Sequence, residues 1–271
     1  MRHLQTVILW LLLFVPSMAM AQCELENTAF KSGEVLSYNL YYNWKFVWVK
    51  VGTGSMSTQA SRYEGKDAFK CSLITRGNGK LDKFFIMRDT LTSYITPSLV
   101  PLYFRKGAEE GEKYTVDEVW YSYKGSQCSV KLHRQHKDGT HRWSNEKKNE
   151  CIFDMLNIFV RARSYNTAGW TKGKIIKFPI ADGKDVTTAQ LKYEGKETVK
   201  GDDGVKYRCL RFSYAEWDKK KKKYKEFGRL YATDDANHVP VRIDMTLNFG
   251  VAKAYLTHTK GLRNNTTSKI K

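Results

Sequence analysis

The chain has no apolar run long enough to cross a membrane as a helix, which argues against an integral membrane protein. Its longest run, VILWLLLFV at Val7–Val15, falls far short of the ~20 apolar residues that a span requires. A basic start precedes this run, and Ala19 and Ala21 after it form the A-x-A pattern that signal peptidases recognise. The sequence therefore predicts a signal peptide at 1–21, cleaved after Ala21, and a periplasmic or secreted protein.

Two alternatives stay open at this terminus. Cys23 lies just beyond the predicted cleavage site, as in lipoproteins, whose processing acylates such a cysteine. That processing requires a small residue immediately before the cysteine, whereas Gln22 stands here. Retention of the apolar run as an anchor is the other alternative, and the shortness of the run disfavours it.

Cysteine is scarce, and no pair has the C-x-x-C spacing of a zinc or thiol-redox site. The five cysteines, an odd number, are Cys23, Cys71, Cys128, Cys151 and Cys209. An oxidising compartment permits disulfides, although a chain of this size can form a stable core without them. Buried single thiols are therefore one alternative. If one pair forms, we expect Cys128 to bond with Cys151, because both flank the same compact stretch.

The sequence patterns of common catalytic sites are also missing. No Gly-Lys pair is followed by Ser or Thr, as a phosphate-binding P-loop requires, and neither G-x-S-x-G nor H-E-x-x-H occurs. The sequence KLHRQHKDGTHRW contains His133, His136 and His141, but positions three apart on a strand point to opposite faces. We therefore predict surface histidines, no metal and no cofactor. A non-enzymatic protein is expected, since no paired acids support an enzyme acting on envelope glycans.

Acidic residues are outnumbered, because 28 Asp and Glu face 46 Lys and Arg and the formal net charge is +18. Removal of residues 1–21 takes away only Arg2 among the charged residues and leaves +17. Such a charge favours contact with phosphates, lipid headgroups or acidic glycans. Since an exported protein rarely meets genomic DNA, we predict an anionic lipid or an acidic envelope component as the partner, and no nucleic acid.

What the chain does contain is a β pattern over nearly its whole length. Aromatic and β-branched residues alternate with polar ones, and turn signals return about every 8–15 residues, as in antiparallel meanders. One segment differs, because DMLNIFVRARSY has apolar residues at helical spacing and starts with Asp154, a residue type favoured as an N-cap.

These patterns predict a mainly β fold. We expect a large, curved antiparallel sheet, or an open barrel or sandwich, with one amphipathic helix at about 154–165. A single domain is predicted at 22–263, with two β halves at about 30–150 and 172–260 around the helix. A polar tail follows at 264–271.

A run of five lysines lies between two alternating segments, which predicts a long hairpin with the lysines at its tip. They are Lys219, Lys220, Lys221, Lys222 and Lys223. Lysines at an exposed strand end also oppose edge-to-edge association of sheets. We predict a solvated tip, with an anion-binding finger as the alternative.

The stretch YNLYYNWKFVWVKVG places Tyr42, Trp44, Phe46 and Trp48 at a period of two, which predicts one face of a single strand. Four aromatic rings on one face can simply build a core. The alternative is the lining of a hydrophobic groove in a curved sheet, which would hold a lipid or another apolar ligand.

Several of these stretches together resemble a known family over nearly the whole chain that follows residue 21. The sequence is similar to exported bacterial proteins of domain-of-unknown-function family 3108 (DUF3108). The residues that carry the resemblance are Gly33, Glu34, Leu36, Tyr38, Val51, Gly52, Asp154, Arg161, Asp235, Val239, Pro240, Val241 and Arg242. The family commonly has a serine where this chain has Asn157. The resemblance implies a periplasmic, mostly antiparallel β protein of a Gram-negative bacterium, with no known catalytic residue.

Two functional hypotheses follow from the sequence. In the first, the sheet carries an acyl chain or another apolar ligand, and the lysines hold its anionic head. In the second, the protein is a structural partner of an envelope complex or an acidic polysaccharide and has a filled core. A continuous apolar cavity of ~300–1,000 Å³ would support the first hypothesis.

Overall fold

The structure of the protein is a computed structural model, and it describes residues 23–44, 47–79, 86–247 and 250–270. The predicted signal peptide therefore lies outside the described residues. Within them, no helix is long and apolar enough to cross a membrane.

One helix and sixteen strands form in these ranges. The strands are β1 (Glu34–Trp44), β2 (Val47–Tyr63), β3 (Lys66–Gly77), β4 (Met87–Ile95), β5 (Pro101–Glu110), β6 (Lys113–Lys124), β7 (Gln127–His136), β8 (His141–Lys148), β9 (Phe153–Asp154), β10 (Ile175–Ala181), β11 (Val186–Lys200), β12 (Lys206–Asp218), β13 (Lys223–Thr233), β14 (Pro240–Leu247), β15 (Gly250–Lys260) and β16 (Lys269–Ile270). The helix α1 (Met155–Ala162) follows β9.

All the strands belong to one sheet, which confirms the predicted mainly β fold. The order is β8-β7-β6-β5-β4-β3-β2-β1-β15-β14-β13-β12-β11-β10-β9, with β16 paired to β12. Strands β1 to β8 form one meander and β10 to β15 a second, and the antiparallel β1–β15 pair joins them. The sheet is curved and open, and it is not closed into a barrel.

A bulge and a close strand approach bend the sheet where β1, β2 and β3 meet. The pairing register between β1 and β2 shifts after Leu40, which leaves Val51 unpaired. The next residue, Gly52, has no space for a side chain, because a Cβ atom there would lie 2.2 Å from the carbonyl oxygen of Arg76. Bulges of this kind increase local twist, so Gly52 permits the curvature of the sheet.

The predicted helix and its N-cap are confirmed. Asp154 has an extended backbone, and its Oδ1 accepts hydrogen bonds from the amides of Leu156 and Asn157 at 3.0 and 2.7 Å. Leu156 and Val160 are buried in the main hydrophobic cluster. The apolar side of α1 therefore completes the core on the concave side of the sheet.

The turn between β10 and β11 reaches across to β6 and β7. Arg134 forms two hydrogen bonds with the Asp117 carboxylate, at 2.5 and 2.8 Å, and a third with the carbonyl oxygen of Asp182 at 3.2 Å. Gly183 packs against Asp117 so closely that a Cβ atom would lie 2.5 Å from the Asp117 Cβ. This turn fastens the second meander to the first near their free edges.

The predicted Cys128–Cys151 disulfide is wrong, because the structure bonds Cys23 to Cys151, with Cα atoms 5.4 Å apart. Cys128 is buried as a free thiol. The prediction paired two cysteines that are close in sequence. In the folded protein the N-terminal segment lies beside α1, where Arg161 Nη1 donates to the Cys23 carbonyl at 2.7 Å. A Cys23 sulfur in a disulfide cannot also carry the thioether of a lipoprotein.

Candidate ligand-binding site

The inner face of the sheet, which we define as the face that carries Leu36 and Leu40, changes from buried to exposed along the β1–β2 hairpin. Leu36 is 0% and Leu40 8% exposed, whereas Val49 is 36% and Val47 62% exposed. Val49 pairs with Tyr42, two residues beyond Leu40, so these side chains share one face. The apolar wall therefore continues past the point where the core ends.

Two more strands extend this apolar surface sideways. Tyr42 pairs with Ala252 on β15, and Ala252 pairs with Met245 on β14. Directly paired residues of antiparallel strands project to the same face, and Leu247 follows Met245 on that face. Met245 is 38% and Leu247 47% exposed. We call this surface the open-end patch, and its residues are Tyr42, Val47, Val49, Met245 and Leu247.

The prediction that four aromatic residues lie on one face of a single strand is wrong. β1 ends at Trp44 and pairs antiparallel with β2, which contains Trp48, so the described members of this set lie on two strands. Trp48 pairs with Asn43, the neighbour of Tyr42 in sequence, and therefore lies on the face opposite Tyr42. Phe46 lies outside the described residues. An alternating pattern without Gly or Pro gave no signal of the end of β1.

On the outer face, Trp48 contacts a cation instead of a ligand groove. The Lys253 Nζ lies 4.1 Å from the centroid of the Trp48 ring. Burial lowers the pKa of Lys253, with nearby Arg242 acting in the same direction. Of the four predicted aromatic residues, Tyr42 is the one whose described side chain belongs to the open-end patch.

The five lysines lie at a hairpin tip, as predicted. β12 ends at Asp218 and β13 begins at Lys223, which pairs with Asp218. The Asp218 Oδ1 accepts hydrogen bonds from the amides of Lys220 and Lys221, both at 2.9 Å, and these bonds fix the turn. The tip is at the same end of the sheet as the open-end patch, because β13 pairs with β14, which contributes Met245.

The opposite end of the sheet, which we call the closed end, is held by a buried ion pair that the sequence did not predict. Arg163, just after α1, donates to both carboxylate oxygens of Glu34 at 2.5 and 3.0 Å, and both side chains are almost completely buried. Arg163 Nε also donates to the carbonyl oxygen of Asn237, in the β13–β14 loop, at 3.1 Å. The pair thus ties the start of β1 to α1 and to this loop.

A second buried carboxyl at the closed end is the helix cap itself. Asp154 Oδ2 accepts a hydrogen bond from Ser93 at 3.0 Å and one from the Tyr121 hydroxyl at 3.4 Å. Burial raises the pKa of Asp154 to about 7, against these hydrogen bonds and those of the helix amides, which lower it. Burial also raises the pKa of the Cys71 thiol to about 12. Protonated, buried thiols are unreactive, so Cys71 is not a candidate nucleophile.

The prediction of surface histidines is wrong for His133, which is buried. Its Nδ1 lies 2.9 Å from a carboxylate oxygen of Glu118, and its Nε2 lies 2.8 Å from the Nδ1 of His141. Alternation along a single strand places His133 and His136 on opposite faces, but it does not show which residues of the partner strand lie beside them. The β7–β8 hairpin brings His141 to His133, because Trp143 is the direct partner of His133.

Two open clefts lie elsewhere on the molecule. One, of about 530 Å³, is lined by charged and polar groups that include Glu197, Asp202 and Arg242. The other, of about 580 Å³, lies beside the N-terminal segment and includes Phe69 and Arg263 in its lining. Neither is the continuous apolar cavity that would support the first hypothesis, so a ligand of the open-end patch would lie on an open surface.

Comparison with known proteins gives the family. The model of DUF3108, a family described as "Protein of unknown function", matches residues 37–257. The chain belongs to the DUF3108 family. No curated protein matches the sequence.

Two solved structures are similar to this DUF3108 protein. A β-barrel-like protein of DUF1849 from Brucella abortus has a TM-score of 0.55 at 10% identity, over 87% of this chain and 100% of that chain. A Bacteroides fragilis protein with a YmcC-like fold has a TM-score of 0.36 at 10% identity, over 88% of this chain and 100% of that one. At this identity the first likeness concerns the fold alone.

Proposed function

We propose that this DUF3108 protein is an exported, non-catalytic binding protein of the cell envelope, whose open-end patch holds the apolar part of an anionic, lipid-like ligand. The observation that carries the proposal is the exposure of aliphatic side chains on the concave face. Val47 and Leu247 are about half exposed or more, although they continue the same wall as the buried Leu36. Contiguous exposed apolar surface of this kind is typical of a binding site.

Apolar contact and charge favour the same kind of ligand. An acyl chain that covered the open-end patch would gain about 0.8 kcal/mol for each CH₂ group removed from water. Lys219–Lys223 on the neighbouring hairpin supply positive charge at the same end of the sheet. An amphiphile with a carboxylate or phosphate head therefore matches both features.

Export is part of the proposal and has its own support. The Cys23–Cys151 disulfide spans 128 residues, and such bonds persist in oxidising compartments rather than in the cytosol. Periplasmic or secreted localisation after cleavage at Ala21 agrees with this bond. N-terminal sequencing of the mature protein is expected to start at Gln22, and an acylated Cys23 would contradict the proposal.

The binding proposal is tested by titration with dansyl-undecanoate, a fluorescent anionic fatty acid. The double substitution Val47→Asp with Leu247→Asp puts two carboxylates into the patch and is expected to weaken binding about tenfold or more, since each exposed aliphatic side chain contributes on the order of 1.5 kcal/mol or more when buried. Ile74→Asp is the matched control, because Ile74 is also exposed but lies on the outer face of β3.

Replacement of Lys219–Lys223 by Ser and Gly separates the head contact from the chain contact. The replacement is expected to weaken binding of the fatty acid at low salt, because salt screens exposed charges. Binding of the methyl ester is expected to stay unchanged, because the ester has no charged head for the lysines to contact. Equal binding of the fatty acid by wild type, the double variant and Ile74→Asp would show that the patch is not the site.

A further inference from the structure

A row of aromatic rings crosses the outer face of the first meander, away from the open-end patch. Consecutive rings are close: the centroids are 5.6 Å apart for Tyr63 and Tyr103, 5.5 Å for Tyr103 and Trp120, and 5.8 Å for Trp120 and Trp143. Tyr94 lies 5.2 Å from Tyr63 on the same face. We call these five residues the aromatic row.

The pairing register places the row on strands that the sequence separates widely. Tyr94 pairs with Tyr103, and Tyr103 pairs with Trp120. Trp143, on β8, pairs with His133 of β7. The row therefore runs perpendicular to the strands from β8 towards β2, with neighbouring rings stacked or tilted against one another.

Hydrogen bonds hold one ring of the row and the histidine that packs against another ring. Glu118 accepts from the hydroxyl of Tyr103 and holds Nδ1 of His133, whose Nε2 contacts Nδ1 of His141. The His133 ring stacks on Trp143 with centroids 4.1 Å apart. These contacts pre-order Tyr103 and Trp143, so a ligand need not order the two side chains when it binds.

One end of the row is exposed and lies beside cations, whereas the other four rings are partly buried. Trp143 is 51% exposed, and the Lys131 Nζ lies 4.5 Å from its ring centroid. Lys147 follows on the same face of β8, and Arg105 lies 4.0 Å from Glu118. Arg105 is paired with Glu118, and Glu64 lies beside Tyr63, so the free positive charge lies at the Trp143 end of the row.

We propose that the aromatic row is a second binding site, which takes an acidic polysaccharide. The C–H groups of a sugar ring carry partial positive charge and stack on the negative face of an aromatic ring. The exposed Trp143 ring suits one sugar of an extended chain, and Lys131 and Lys147 beside it suit the carboxylates of that sugar and its neighbours. A fatty acid gains little from such a surface, because it has no concave wall.

Affinity electrophoresis in native gels that contain polygalacturonate, a polymer of acidic sugars, tests the proposal. Trp143→Ala is expected to weaken retention about two- to tenfold, if the lost contact is about as strong as one aromatic–aromatic contact. The matched control is Trp217→Ala, an exposed tryptophan beside the lysine hairpin, which is expected to leave retention unchanged. Trp143→Phe keeps a ring and is expected to restore most of the binding.

Charge controls distinguish the row from general attraction of a basic protein to a polyanion. Lys131→Gln is expected to weaken retention more than Lys220→Gln, which removes the same charge at the hairpin tip. Dextran, a neutral polymer, is expected to retain the protein weakly. Equal retention of Trp143→Ala and Trp217→Ala, or of the two lysine variants, would overturn the proposal.

The site is independent of the proposed function at the open-end patch. Trp143→Ala is expected to bind dansyl-undecanoate as the wild type does, and Val47→Asp with Leu247→Asp is expected to bind polygalacturonate as the wild type does. Phosphatidylglycerol vesicles could also compete with polygalacturonate for the protein. If Trp143→Ala abolished that competition, the row would be a membrane surface, which would contradict the assignment to a polysaccharide.

Discussion

The closed end and the open end of the sheet share the same strands but differ in what covers them. At the closed end, α1, the N-terminal segment and the disulfide cover the start of β1, and Leu36 is fully buried. At the open end of the same hairpin, Val47 is 62% exposed. Buried contacts are therefore concentrated at the closed end, and we expect stability to be concentrated there as well, with apolar surface exposed at the open end.

The largest effect is expected from the buried ion pair at the closed end. Glu34→Ala leaves the Arg163 guanidinium buried without its counter-charge and is expected to lower the free energy of unfolding by about 3–5 kcal/mol. Urea denaturation measures this loss. Asp67→Ala is the control, since the exposed Arg62–Asp67 pair contributes at most about 1 kcal/mol.

Substitution of two leucines on the inner face, one at each end, compares how much each end contributes to stability. Leu36→Ala is expected to lower the free energy of unfolding by about 2–5 kcal/mol, because it leaves a cavity in the core. Leu247→Ala is expected to change it by no more than about 0.5 kcal/mol, because that side chain is largely exposed. Similar losses for the two variants in urea would show that the open end is packed like the closed end.

The helix cap gives a smaller effect. Asp154→Ala removes the acceptor of the Leu156 and Asn157 amides and is expected to cost about 0.5–2 kcal/mol. The urea midpoint is expected to fall accordingly. An unchanged midpoint would mean that the cap does not contribute to helix stability.

The same residue predicts how stability depends on pH. Burial raises the pKa of Asp154 from 3.8 in the unfolded chain to about 7 in the folded protein. The folded protein then binds the proton more tightly, so this contribution is complete below the unfolded pKa and is lost as the pH rises to about 7. Asp154→Asn, whose side chain does not titrate, is expected to lose less stability over this range than the wild type.

Much of the fold was predictable from the sequence, because it depends on local patterns. Alternation and turn residues predicted the meanders, and Asp154 followed by apolar residues at helical spacing predicted α1. The lysine run was placed correctly for the same reason, since both flanking segments alternate up to the turn between Asp218 and Lys223.

The contacts between distant segments were not predictable in this way. Cys23 bonds to Cys151, and Glu34 pairs with Arg163, across separations that periodicity does not encode. The outer aromatic row was missed because its five rings lie on five different strands, one on each. A signal was present, since Trp143 and His133 are placed symmetrically about the turn at Asp138–Gly139, and antiparallel pairing follows from that symmetry.

The site prediction failed because the aromatic pattern does not mark the end of β1. The period of two continues from β1 into β2, so the sequence placed Tyr42 and Trp48 on one face. Val47, Val49, Met245 and Leu247 were not singled out, because aliphatic residues on a strand look the same whether a core covers them or not. Only the three-dimensional arrangement shows where the cover ends.

The most direct test of the account is native mass spectrometry of the protein purified from envelope extract without detergent. The wild type is expected to carry the added mass of an anionic amphiphile, and the double variant Val47→Asp with Leu247→Asp is expected to lack it. Ile74→Asp is expected to carry the same added mass as the wild type. A wild-type protein without added mass, or a double variant as fully loaded as the wild type, would contradict binding at the open-end patch.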